Sequence, residues 1–288
     1  MTRKSPAHPH SPGPLISQNS ELRGCGAVFN WTLPAFVVKL SDGSRFNVCP
    51  AAGRCTRVCY ALFGKYLFTP VRARHLANLE FVLNHPEEFE DQMLSELVGP
   101  RFDWKHGVID LPHDESNTWL HEWMMGGGAA LRIHDGGDFF AEWYLEMWIR
   151  IAKKRPHVLH YAYTKSVSMV LPYLDNLPPN MVIILSFGGL EDHLIDREKH
   201  RHSDVFPNRK TLDESDYLCQ ESNDLLAAVA PTNKIGVLAN NIPVAIKRFD
   251  GHRMSEINVR GGIKATVADD DGAEVEVTVT RAEVEALA

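Results

Sequence analysis

Ala129-Ala-Leu-Arg-Ile-His134 is a short apolar run that ends in Asp135-Gly-Gly-Asp138 and leads into residues 141–154, where Leu145, Trp148, Ile149 and Ala152 recur at helical spacing. Val158-Leu-His-Tyr-Ala-Tyr-Thr164 follows, rich in aromatic residues and short enough for a buried strand. Strand, amphipathic helix and strand in this order form a βαβ unit, which places its strands parallel with a right-handed crossover. Alternation continues with a short helix over 167–174, a strand over 181–186 and another over 234–239.

Upstream, Ala35-Phe-Val-Val-Lys-Leu40 reads as a strand, and residues 70–98 as a helix broken at His85-Pro86. Residues 99–127 read as irregular. Repeated units of this kind predict an α/β fold with a full or partial (β/α) barrel of parallel strands; an open doubly wound sheet is the alternative. Residues 1–20, rich in Pro, Ser and His, read as a disordered arm, and His8 and His10 as part of a flexible tail. Residues 21–255 would form the barrel-like metal-binding domain. From residue 256 the alternating valines and acids, ending in Glu274-Val-Glu-Val-Thr-Val279, predict a small C-terminal β appendage.

The 288 residues carry a hydrophobic fraction of 44% and a charged fraction of 23%, ordinary for a globular protein with a sizeable core. No apolar run approaches the length that crosses a bilayer, and the first residues lack a secretory apolar stretch, so a cytoplasmic protein without a membrane partner is expected. Five cysteines, unevenly spaced, argue against a disulfide framework. The net charge of -7 argues against a broad nucleic-acid-binding surface. Arg54, Arg57, Lys65, Arg72 and Arg74 nevertheless gather around one loop, suiting either an anionic ligand or a solvated face.

That loop is Cys49-Pro-Ala-Ala-Gly-Arg-Cys55-Thr-Arg-Val-Cys59-Tyr-Ala, with Cys25 and Cys219 standing apart. One buried cysteine serves a core as well as three, whereas clustered thiolates suit iron, zinc or copper. Cys49, Cys55 and Cys59 are therefore candidate metal ligands. Three thiolates leave one position on a four-iron cluster, or demand a fourth ligand for zinc; Cys219 or His75 are candidates for it.

Ligand contacts in barrels lie at the C-terminal ends of strands. His134, Asp135, Gly136, Gly137 and Asp138 occupy such a place, although Asp138 also suits the N-cap of the following helix. Tyr161-Ala-Tyr-Thr-Lys-Ser166 offers Lys165 for a carboxylate or phosphate, and Ser186-Phe-Gly-Gly-Leu-Glu-Asp192 repeats the glycine-and-acid pattern with Gly188 and Gly189. His193, His200 and His202 read as surface residues.

The cysteine loop, the Arg132–Phe140 segment and the Tyr161–Ser166 segment together resemble the phage "gene product eighty-eight" family. They are also distantly similar to radical S-adenosylmethionine enzymes, which hold a 4Fe-4S cluster through three cysteines after the first barrel strand, the last followed by an aromatic residue. Those enzymes carry a glycine-glycine-acid motif after the second strand. Cys59-Tyr60 and Gly136-Gly137-Asp138 match these features, while the spacing of this loop is wider. The resemblance implies S-adenosylmethionine as cofactor, with Tyr60, His134, Gly136, Gly137, Asp138, Gly188 and Gly189 around it. It further implies Asp135 or Asp138 on the cofactor ammonium, Lys165 or an arginine on its carboxylate, and an electron donor as partner; the resemblance names no substrate, and DNA or a nucleotide is one candidate. A second resemblance, to zinc-bearing transglycosylases that insert 7-deazaguanine into DNA, rests on the aspartates and paired glycines of 134–140, although zinc cysteines lie late in those chains. A non-catalytic, zinc-stabilised binding protein is the third reading.

Overall fold

The computed structural model describes residues 8–102, 118–239, 247–249, 251–257, 263–268 and 274–279. Strands β1 (Val28–Trp31), β4 (Ala129–Ile133), β5 (Val158–Thr164), β6 (Met181–Ser186), β7 (His202–Phe206), β8 (Leu218–Cys219) and β9 (Lys234–Leu238) build one seven-stranded sheet in the order β1-β4-β5-β6-β7-β9-β8. Every neighbouring pair is parallel. The order follows the chain without reversal until the last two strands. A doubly wound sheet needs such a reversal. Strands added always on the same side curl instead into a half-barrel, and the partial-barrel expectation holds.

Side chains alternate between the two faces, as a period of two requires. Phe29, Trp31, Leu131, Ile133, Ala162, Ile183 and Leu185 face one core, with α2 (Thr69–Asn84), α3 (Pro86–Glu96) and α5 (Glu142–Lys154) packed on it. Val28, Ala130, Leu159, Tyr161 and Ile184 face a second core, with α1 (Ser20–Gly24), α4 (Thr118–Gly126) and α8 (Leu226–Val229). The predicted stripe of α5 is buried throughout. The break at His85-Pro86 also falls as expected: the residue before a proline is driven out of the helical region, and Pro86 opens α3 at a position needing no N–H donor.

Other expectations change. The first sheet strand is Val28–Trp31, whose polar Asn30 hides the apolar pattern, and the run at 35–40 contributes β2 (Val37–Lys39) instead. It pairs antiparallel with β3 (Arg45–Asn47) in a hairpin outside the main sheet. His202 is fully buried on β7, where its Nε2 lies 2.8 Å from the Tyr217 hydroxyl, so it is no surface residue. Residues 118–126, read as irregular, form α4. At the C-terminus β10 (Ile263–Ala268) and β11 (Glu274–Val279) make an antiparallel hairpin, in keeping with a β appendage.

The arm at 8–20 is not loose; residues 1–7 lie outside the described residues. Leu15 and Ile16 are buried in the outer core, and their N–H groups donate to the Glu96 carboxylate at 2.7 and 3.1 Å. Ser17 and Asn30 exchange backbone hydrogen bonds at 2.9 and 2.8 Å, and Asn19 caps α1. Composition suggested disorder here, yet two apolar residues and one acceptor suffice to fix the segment. Leu15→Ala is expected to cost about 2–4 kcal/mol, read from the urea midpoint. A loose tail would leave that midpoint unmoved.

Candidate metal centre

The route from β1 to the cysteines passes through the β2–β3 hairpin, which returns the chain to the rim. There the Val48 N–H donates to the Phe36 carbonyl at 2.8 Å, and the Phe36 N–H donates to the Cys49 sulfur at 3.3 Å. The loop then docks on the end of β6. Leu190 N–H donates to the Ala51 carbonyl, Cys55 N–H donates to the Gly188 carbonyl at 3.0 Å, and Ala52 bridges Gly189. This contact is backbone against backbone. A Cβ at Gly53 would stand 2.8 Å from the Gly189 carbonyl carbon, and one at Gly188 would stand 2.8 Å from the Met254 sulfur. Gly188 also has φ of +107°, a conformation that only glycine adopts without strain.

Docking brings Cys49, Cys55 and Cys59 into one electrostatic neighbourhood with Asp138, Lys165 and Asp192. All three thiols are half-buried in the loop, and all are raised in pKa. Burial drives Cys49 well above its usual value, with Asp138 and the other two sulfurs adding to it. Burial also raises Cys55, against the pull of Lys165. Cys59 is pushed up to about 11, by burial and then by Cys55. Such a set is poor as free thiols and well suited to a positive centre. The sulfurs do not all lie within 4.8 Å of one another. A single tetrahedral zinc would hold them about 3.8 Å apart.

Lys165 is the cation facing this group. Burial works against its charge, but Cys55, Asp138, Cys59 and Asp192 together hold its pKa above the usual lysine value. Its Nζ donates to Ser186 Oγ at 3.0 Å. Asp138 does not cap α5; Ala141 holds that position, with no side-chain cap. The Asp138 carboxylate instead accepts from its neighbour Phe139 N–H at 2.7 Å, from Thr164 Oγ1 at 2.5 Å and from Lys165 N–H at 2.9 Å. It ties the rim loop after β4 to the one after β5. Burial still raises its pKa against these donors.

Gly136 and Gly137 lie against the chain itself. The space for a Cβ is taken at Gly136 by the Leu33 carbonyl, and at Gly137 by Leu33, Pro34 and Val48. The amides of Gly188 and Gly189 donate to Asp192 at 2.8–3.0 Å. His134 turns into the aromatic core, its Nε2 3.0 Å from the Tyr144 hydroxyl and its ring against Phe139, and burial lowers its pKa to about 3. Cys219 sits on β8 at the far edge of the sheet, packed near Phe206, Leu212 and Tyr217. Two intervening strands put it on the order of 15 Å from β6, so it is no fourth ligand. His75 instead lies on α2 beside Tyr66.

A family model, that of gene product 88, matches residues 14–261. The chain belongs to the gene product 88 family. No curated protein and no solved structure matches it. Within this family member the matched stretch contains the cysteine loop and all its docking partners.

A polar cluster on the inner face completes the rim and was not foreseen as a unit. Arg132 pairs with Asp224 at 3.2 Å and Asp135 at 3.7 Å, and its guanidinium stacks 5.2 Å from the Tyr163 ring. Asp135 also accepts from Tyr66 at 2.8 Å and Asn19 at 3.1 Å, and its carbonyl accepts from the Tyr60 hydroxyl. Tyr161 donates to Asp224. The visible signal was Arg132, a charge inside an apolar strand; its partner Asp224 lies 92 residues away and carried none.

Because all three thiols are raised, metal uptake must expel their protons. The apparent affinity for Co²⁺ is expected to fall as pH falls, approaching about tenfold per pH unit for each thiol displaced. Thiolate-to-cobalt absorption, titrated between about pH 6 and pH 9, checks this. A pH-independent affinity would show that the thiols are already ionised.

Proposed function

We propose that this gene product 88 family member is an iron–sulfur enzyme of radical S-adenosylmethionine type. One observation carries the reading. Three thiols with raised pKa gather on the loop after the first strand of a singly wound parallel half-barrel, beside the Gly136-Gly137-Asp138 turn that follows the second.

Cys49, Cys55 and Cys59 would hold the cluster, leaving one iron open to a ligand. When bound, such a group supplies the electron that cleaves the sulfonium of S-adenosylmethionine. The chain's own residues set the conditions. Lys165 offsets the negative charge of the thiolates, and the Phe36 N–H on the Cys49 sulfur tunes the potential of whatever that sulfur binds. Asp138 fixes the glycine turn by holding it to the next rim loop, and the half-burial of all three cysteines limits water.

Anaerobic protein supplied with iron and sulfide is expected to turn brown, to retain both in equal amount, and to cleave S-adenosylmethionine when reduced. Cys55→Ala should lose iron and cleavage together, with its circular dichroism unchanged. Colourless protein that keeps stoichiometric zinc and leaves S-adenosylmethionine intact would overturn the proposal.

A further inference from the structure

Away from the thiols, the elbow between α2 and α3 gathers a second set of ligating groups. His10 Nδ1 lies 2.8 Å from Glu88 Oε1, and His85 Nδ1 lies 3.8 Å from the same oxygen. The rings of His10 and His85 stack at 3.8 Å and within 5° of parallel. His8 Nδ1 stands 3.9 Å from Glu88 Oε2. Among the described residues, His10, His85 and Glu88 are the one set of three His, Cys, Asp or Glu side chains whose donor atoms all lie within 4.8 Å of one another.

One feature points to a cation rather than to simple hydrogen bonding. Glu88 Oε2 is shielded from solvent and has no hydrogen-bond partner, a state that costs free energy unless something satisfies it. A single divalent ion at the carboxylate would satisfy it, and the Nδ1 atoms of His10 and His85 already lie 2.8 and 3.8 Å from the neighbouring Oε1. The two rings are stacked, so they must turn out of parallel to bring both in-plane lone pairs onto the ion. The backbone holds the elbow without it: His85 is the break residue before Pro86, and Glu88 lies in the first turn of α3.

We propose that His10, His85 and Glu88 bind a divalent transition-metal ion of the zinc type, with His8 as the fourth ligand. Imidazole nitrogen and carboxylate oxygen are the donors such an ion takes in a four-coordinate structural site. The ligands come from the N-terminal segment and from the α2–α3 elbow, 75 residues apart between His10 and His85. The ion therefore staples that segment to the outer helices, beyond the grip of Leu15 and Ile16. This site is independent of the thiol centre and of the reaction proposed for it.

The test compares zinc bound by the full-length wild type, Glu88→Gln and His10→Ala, side chains at the surface whose loss leaves the core intact. Each variant is expected to hold one zinc fewer per chain than the wild type, whatever the thiols bind. Its loss of affinity should exceed the roughly 10–100-fold that removing a mere outer-shell partner costs. X-ray absorption of the wild type should show nitrogen and oxygen neighbours of zinc that vanish in Glu88→Gln, and added zinc should raise the melting temperature of the wild type by more than that of either variant. Equal zinc content in wild type and Glu88→Gln, or a zinc shell made only of sulfur, would overturn the site.

Discussion

The rim of this molecule depends on a backbone docking with no room for a side chain. Gly53 of the cysteine loop meets Gly188 and Gly189 at the end of β6 at distances a Cβ would occupy, and the Cys55 N–H donates to the Gly188 carbonyl across that contact. An alanine at Gly53 would put its Cβ 2.8 Å from the Gly189 carbonyl carbon, and one at Gly189 would put it 2.9 Å from the Ala51 carbonyl oxygen, so the loop would have to give way. That shift would move Cys55 relative to Lys165. The geometry of the centre is thus set by the absence of side chains at three positions, more than by any attraction between the sulfurs.

Winding order explains why so much chemistry meets there. Strands β1, β4, β5 and β6 lie side by side in chain order and point the same way, so the loops leaving them emerge on one edge. A doubly wound sheet would have split these loops at its switch point. Residues as distant in sequence as Cys55, Asp138, Lys165 and Asp192 then meet without any long detour of the chain.

Much of this was legible in the sequence, and the illegible part has physical causes. Strands β4, β5, β6 and β9 showed because each is an apolar run ended by polar or glycine residues. Helix α5 showed because its buried stripe is uninterrupted. Strand β1 was hidden by Asn30, whose side chain donates to Thr32 Oγ1 at 2.9 Å inside the fold. Strand β7 was hidden because His202, Ser203 and Asp204 are polar residues buried in the fold, His202 against the Tyr217 hydroxyl and Asp204 under Ser255. Periodicity reports burial only where burial is apolar. The three thiols were visible as a cluster in sequence; their surroundings were not, since Lys165 and Asp138 join them only through the fold.

The two glycine-acid motifs show how similar sequences do different work. Asp192 accepts from the amides of its own Gly188 and Gly189, closing the turn that receives the cysteine loop. Asp138 reaches away from its own glycines and accepts from Thr164 and Lys165 on the next rim loop. Lys165 continues the series by donating to Ser186 at the end of β6, and Glu191 accepts from Ser168 at 2.7 Å in the reverse direction. Each latch is worth only about 0.5–1.5 kcal/mol taken singly. Joined in sequence from β4 to β6 and on to Cys55, they make the movement of one loop a movement of all. The three cysteines are held in place by the fold, so a group bound by them would find the cost of ordering them already met in folding.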